Sequence, residues 1–258
     1  LRWGNLMATL GWRLQVDSTR YGQANLFVTR YHTRASALSR NSYGEPNTST
    51  YQASVSESVQ SNNLLDVGLR GSLEHCWAAH RWQGGFSWTL HRYCLEATLS
   101  QRSTLSANLE DPTQRSFSNQ QLWTHEGVLY GEGDFRLSST VRMSGGVRLA
   151  LFLVEQKGYV GIEPRWAMTW QPFPGVHVQA SYVRQHQYSH LLSESYINLP
   201  TDTWVPSTAH LRPMRSDQGS LSIGYEGVHG YHFSMEGYYK KMRNLLAYKD
   251  DFHVIGSF

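Results

Sequence analysis

Twelve histidines are the side chains here with the widest chemical range, and His186 and His190, four residues apart, have a spacing that invites a metal reading. On one strand, residues four apart share a face at roughly 13 Å, too far for a single ion whose bonds are ~2.1 Å. The pair is therefore expected to be polar wall or loop histidines, with no metal and no other cofactor; haem capture would be one use for a surface histidine, and nothing distinguishes it. Among carboxylates, Asp250 adjoins Asp251, and Glu194 shares a loop with Asp202. No G-x-S-x-G, H-E-x-x-H or P-loop pattern accompanies them, so no catalytic residue is expected and the chain is not read as an enzyme.

Cys76 and Cys94 are 18 residues apart and could be taken for a disulfide. Between them Gln83 to Arg92 reads as a strand, and about ten residues at ~3.3 Å each put its ends roughly a membrane thickness apart. A disulfide needs Cα atoms within about 7 Å, so two free thiols are expected, at opposite ends of adjacent strands.

The elements that must position these side chains are announced by period-two alternation. Val176, Val178, Ala180 and Tyr182 alternate with His177, Gln179, Ser181 and Val183. Tyr231, Phe233, Met235, Gly237 and Tyr239 oppose His232, Ser234, Glu236, Tyr238 and Lys240. Val141, Met143, Gly145, Val147, Leu149 and Leu151 oppose Arg142, Ser144, Gly146 and Arg148, and Val160, Ile162, Trp166, Met168 and Trp170 oppose Glu163, Arg165 and Thr169. Weaker alternation over Asn5–Leu14, Gln23–Tyr31, Leu64–Glu74, Gln83–Arg92, Leu122–Asp134 and Gln218–Glu226 brings the total to about ten strands. Their connections alternate. Tight turns are expected near Val16–Arg20, Cys76–Arg81, Arg136–Ser139, Pro172–Gly175 and Gly227–Gly230. Long loops are expected over His32–Asn63, Tyr93–Gln121 and Leu191–Asp217, and only Leu153–Gly158 is short on that side. Short turns at one end and long loops at the other are the pattern of outer-membrane barrels.

Composition agrees. The chain has 9 Trp, 15 Tyr and 9 Phe with only 17% charged residues, a balance that favours strands and interfaces. Its mean hydropathy is −0.47, and no stretch reaches the ~20 apolar residues of a spanning helix; a barrel escapes that requirement because alternate residues face the lumen. A net charge of +3, spread along the chain, excludes the basic footprint of a nucleic-acid binder. Trp12, Trp77, Trp82, Phe135, Trp170 and Phe173 stand at or beside the tight turns, where a headgroup-level aromatic girdle is expected. The fold class expected is all-β: an antiparallel meander of about ten strands forming a portion of a transmembrane barrel in the cell outer membrane, in contact with its lipid.

The run YSHLLSESYINLPTDTWVP from Tyr188, RPMRSDQ from Arg212, MEGYYKKM from Met235 and YVGIEPRW from Tyr159 resembles the late barrel of TonB-dependent receptors of the Bacteroidetes type, specifically over roughly residues 120–250 and more loosely before. The resemblance implies a receptor for a scarce nutrient (siderophore, haem, cobalamin, glycan or peptide) whose barrel of 22 strands surrounds a plug domain that engages TonB. With about ten strands and no recognisable plug or TonB box, residues 1–258 are expected to be a partial barrel domain that does not close into a transporter alone. Tyr196, Asp202 and Trp204 are the candidate ligand contacts, since aromatic and polar groups at a barrel mouth can recognise a ligand. A loop motif shared by receptors for different ligands can equally serve shape, with Pro200 and Pro206 fixing φ. The alternatives are a ten-stranded outer-membrane hydrolase of the omptin type, whose wording is missing here, and a soluble carbohydrate-binding β protein.

Overall fold

The computed structural model describes residues 1–44, 51–105, 108–109, 113–192, 202–227 and 230–246. Ten long strands make one antiparallel sheet: β1 (Arg2–Gln15), β2 (Arg20–Tyr43), β3 (Gln52–Trp77), β4 (His80–Leu105), β6 (Thr113–Arg136), β7 (Val141–Val154), β8 (Lys157–Phe173), β9 (Val176–Gln187), β12 (Met214–Glu226) and β13 (His232–Arg243). They neighbour one another in chain order, with the two-residue β5 (Asn108–Leu109) added beside β4. β10 (Ser189–Leu192) and β11 (Thr203–Pro206) form a separate hairpin. Among the described residues β1 and β13 are each paired on one side only, so the sheet is not closed.

The turns follow from local chemistry. At the β1–β2 turn the Asp17 carboxylate accepts the Thr19 hydroxyl at 2.7 Å and the Thr19 and Arg20 N–H groups at 2.8 Å. Those donors, with the Arg20 guanidinium, hold its carboxyl well below the usual carboxylate range. Pro174–Gly175 turns β8 into β9 with Gly175 at φ 79°, the left-handed value a type II turn requires at its third residue. A Cβ there would also meet the Glu226 carbonyl oxygen at 2.6 Å.

Two expected loops are corrected. His32–Asn63 and Tyr93–Gln121 are largely strand, because β2 and β3 pair from Arg20↔His75 out to Tyr43↔Gln52, and β4 and β6 from Arg81↔Asp134 to Gln101↔Thr113. Alternation fades there because neither face has to be apolar; Ser, Asn and Gln occupy both, while the backbone ladder continues. The Leu191–Asp217 connection likewise contains most of the β10–β11 hairpin.

Register sorts the side chains onto two faces. One is apolar and bare across all ten long strands: Leu6, Leu10, Leu26, Val28, Val67, Leu69, Phe86, Trp88, Leu129, Leu149, Ile162, Trp166, Val178, Leu221, Ile223 and Phe233 all lie on it. Leu6 is 68%, Leu129 62% and Phe233 65% exposed, and a continuous apolar surface of this extent marks a contact with a membrane or another protein. At the tight-turn end Trp12, Trp77, Trp82, Trp170 and Phe173 are exposed, and Phe135 packs edge-on against Trp82 with ring centroids 4.7 Å apart. The buried core is small and lies on the opposite face: Val128, Ala150, Phe152, Val154 and Tyr188.

Candidate functional site: the covered face and its hairpin

The face opposite the apolar band carries a belt of charge that crosses the sheet strand by strand. Thr29 of β2 donates to Asp66 of β3 at 3.3 Å, and Asp66 meets His91 Nδ1 of β4 at 2.8 Å. His91 Nε2 is 3.9 Å from Glu126 of β6, and Arg148 of β7 donates to Glu126 at 3.2 Å and to Glu163 of β8 at 2.9 Å. Acids and bases therefore alternate along the belt, and each carboxylate has a donor. Glu163 is only 4% exposed, a burial an anion tolerates because its oxygens are filled by donors.

Glu163 also lies at a split in the sheet, next to Pro164, which has no N–H to give to a ladder. The β8–β9 ladder extends no further than Arg165↔Val183, while β9 stays paired to β12 as far as Gln187↔Met214. At that opening the His186 N–H donates to Glu163 at 3.1 Å, a carboxylate standing in for a strand carbonyl. Beyond it Tyr188 turns in over Gly161, where a Cβ would collide with the tyrosine hydroxyl, and stacks on Phe152 with centroids 4.9 Å apart and an interplanar angle of 11°.

Tyr188 leads directly into the hairpin, which lies across the belt as a strap. Ser207 N–H donates to the Tyr188 carbonyl at 2.7 Å. Ser189 is hydrogen-bonded to the Tyr93 hydroxyl of β4, Gln60 of β3 donates to Thr203 at 3.1 Å, and Tyr159 of β8 donates to the Thr208 carbonyl at 2.6 Å. The strap is thus tied to walls four positions apart in the sheet order. His190, on β10 of the strap itself, is fully buried, with Nε2 2.9 Å from the Ser207 hydroxyl, and burial pushes its pKa below the ordinary histidine value.

The candidate contacts divide. Asp202 is buried just ahead of β11, close enough to Tyr31 of β2 for its charge to act there, and Trp204 is half-buried opposite Leu191. Tyr196, Glu194, Asp250 and Asp251 lie outside the described residues. His186 and His190 do not share one strand, as the spacing argument assumed, because the chain leaves the sheet at Tyr188; among the described residues no cluster of His, Cys, Asp or Glu could hold a metal. Sequence reasoning placed Arg148 and Glu163 on wet faces without pairing them, and it passed over Asp66, His91, Glu126, Phe152 and Tyr188. Cys76 and Cys94 are free. Cys76 pairs with Arg81, and Cys94 is 13 residues further along β4, about 43 Å at ~3.3 Å per residue.

Residues 1–257 match the family model described as TonB dependent receptor-like, beta-barrel. The chain belongs to that family. Among solved structures, the P. aeruginosa FpvA complex with a heterologous pyoverdine and iron shares 11% identity with a TM-score of 0.53, over 92% of this chain and 33% of that one. The RagAB peptide importer in its closed-closed state shares 9% identity with a TM-score of 0.55, over 92% of this chain and 30% of that one. At such identities the likeness shows the fold alone, and this TonB-dependent receptor barrel chain spans about a third of those structures' length. No curated protein matches it.

Proposed function

We propose that these strands form one wall of a larger outer-membrane barrel that takes up a scarce nutrient, and that the β10–β11 strap lies in its lumen, where a ligand passes. The observation that carries this reading is the division of the sheet into an uninterrupted apolar band on one face and an alternating acid–base belt beneath a strap on the other. Bilayers favour the first face and a watered channel the second. The FpvA and RagAB structures hold a pyoverdine–iron complex and a peptide importer respectively, so a metal chelate and a peptide are the ligand classes to test first. Tyr196, Asp202 and Trp204 are the proposed contacts at the strap, with Asp202 becoming accessible when the strap lifts. The wording RPMRSDQ and MEGYYKKM favours the Bacteroidetes type. Energised uptake requires a plug domain and TonB, which this reading takes as partners of the whole receptor.

Spin labels test the orientation. Labels at Val178 and Phe233 are expected to show lipid-phase oxygen accessibility, and labels at Gln179 and Ser234 access to aqueous reagents. The reverse pattern overturns the membrane assignment.

A further inference from the structure

On the bare face, the apolar band gives way to cations at the end of the sheet away from the tight turns. On β9 the outward run Val176, Val178, Ala180, Tyr182 is followed by Arg184; on β12, Tyr225, Ile223, Leu221, Gly219 are followed by Asp217 and Arg215; on β13, Phe233, Met235, Gly237, Tyr239 are followed by Lys241 and Arg243. These are cross-strand neighbours, with Asp217 opposite both Arg184 and Lys241, and Arg215 opposite Arg243. Four cations thus meet one carboxylate. Asp217 is taken by Arg184 at 2.6 Å and Arg215 at 2.8 Å, and among the described residues Lys241 and Arg243 have no ion-pair partner. A second group repeats the pattern on β1 and β2, where Arg2 lies opposite Arg34, and Arg30 follows Val28 on the same face. Like charges placed directly opposite destabilise a sheet unless an anion lies between them.

We propose that this outward-facing patch of Arg184, Arg215, Lys241 and Arg243 binds the phosphate groups of a phosphorylated glycolipid in the outer leaflet, with Arg2, Arg30 and Arg34 forming a second phosphate site. The inference rests on the reading of the bare face as lipid-facing, and goes beyond it in naming a headgroup chemistry. Position decides the partner: the cations continue strands whose previous outward residues are apolar, so a ligand here has its tails beside Tyr182, Leu221 and Met235 and its head among the guanidiniums. Arginine suits phosphate because its fork donates two parallel hydrogen bonds. Asp217 keeps Arg184 and Arg215 pre-set on the face, while Lys241 and Arg243 supply charge that no other described residue pairs.

The test uses the full-length protein placed in phosphatidylcholine nanodiscs. Quenching of Trp88 and Trp166 by brominated phosphatidylcholine reports insertion. Lipid A bearing both phosphates is then compared with lipid A stripped of them, on wild type and on K241Q/R243Q, a variant that leaves the Asp217 ion pairs in place. The expected result is normal quenching, preference of the wild type for the phosphorylated lipid, and about a tenfold loss of that affinity in the variant, with binding of the stripped lipid unchanged. Normal quenching with no phosphate preference, or with an unaffected variant, overturns the proposal while the membrane reading stands and turns attention to an acidic protein partner. Absence of quenching overturns both.

Discussion

Replacing Tyr188 with Ala should release the strap while leaving the sheet intact. The ring is 4% exposed and stacked on Phe152, itself fully buried. Burying ~150–200 Å² of aromatic surface at ~25 cal/mol/Å² gives an upper bound of about 4–5 kcal/mol, and large-to-small substitutions at such sites cost about 3–5 kcal/mol. Taking the low end, since the strap keeps its ties to Tyr93, Gln60 and Tyr159, about 3 kcal/mol corresponds to roughly a hundredfold easier opening. Hydrogen exchange by mass spectrometry reads this directly: amides of 189–192 and 203–207 should exchange roughly a hundredfold faster, while those of Met214–Glu226 stay unchanged. Tyr188→Phe is the control. The hydroxyl has no hydrogen-bond partner among the described residues, so the phenylalanine variant should stay within about 0.5 kcal/mol of wild type. Strap amides as well protected in Tyr188→Ala as in wild type would refute the claim that this ring holds the hairpin down.

Three further outcomes follow from the same geometry. Because His190 has a lowered pKa when buried, the free strap takes up a proton more readily than the docked one; docking is therefore strongest above the ordinary histidine value of ~6.5 and weakens as pH falls below it, visible as rising exchange of 189–192 between about pH 7 and pH 5. Arg148→Met leaves Glu163 buried with one cation fewer, and because Arg148 is 34% exposed the cost is about 1–2 kcal/mol in a denaturant midpoint, less than for a wholly buried pair, with Glu163→Gln restoring most of it in the double variant. A membrane-impermeant thiol reagent on whole cells should label at most Cys94, and labelling of Cys76 would invert the topology.

The strands that cross the apolar band were legible in the sequence because the bare and the covered face impose opposite demands on alternate residues, as Val147, Leu149 and Leu151 against Arg148 show. Beyond the band that demand lapses, and so did the signal: Ser39, Arg40, Asn41 and Ser42 of β2 carry no alternation, although they are paired to β3. The site was less legible still. Partnership between Arg148 and Glu163 depends on register, and a shift of one residue would put them on opposite faces. Tyr188 gave no sign of its role, since its partner Phe152 is 36 positions away and the two meet only because β9 parts from β8 at Val183. Loop wording places Asp202 and Trp204 at a barrel mouth, and the burial of Asp202 just ahead of β11 comes from hairpin packing that the wording does not carry.

Those strand extensions bear on how such a chain can vary. Within the band, inserting one residue would turn every later side chain to the wrong solvent. Above it the β4–β6 ladder already absorbs such an event: Ala97 pairs with Ser118 and Thr98 with Ser116, so Phe117 is passed over and the pairing resumes to Gln101↔Thr113. Where both faces are wet a slip of register carries little penalty, so lineages can lengthen, shorten or kink these hairpins one residue at a time. The far rim of the sheet can therefore drift in height and outline, while the strands within the apolar band keep their frame.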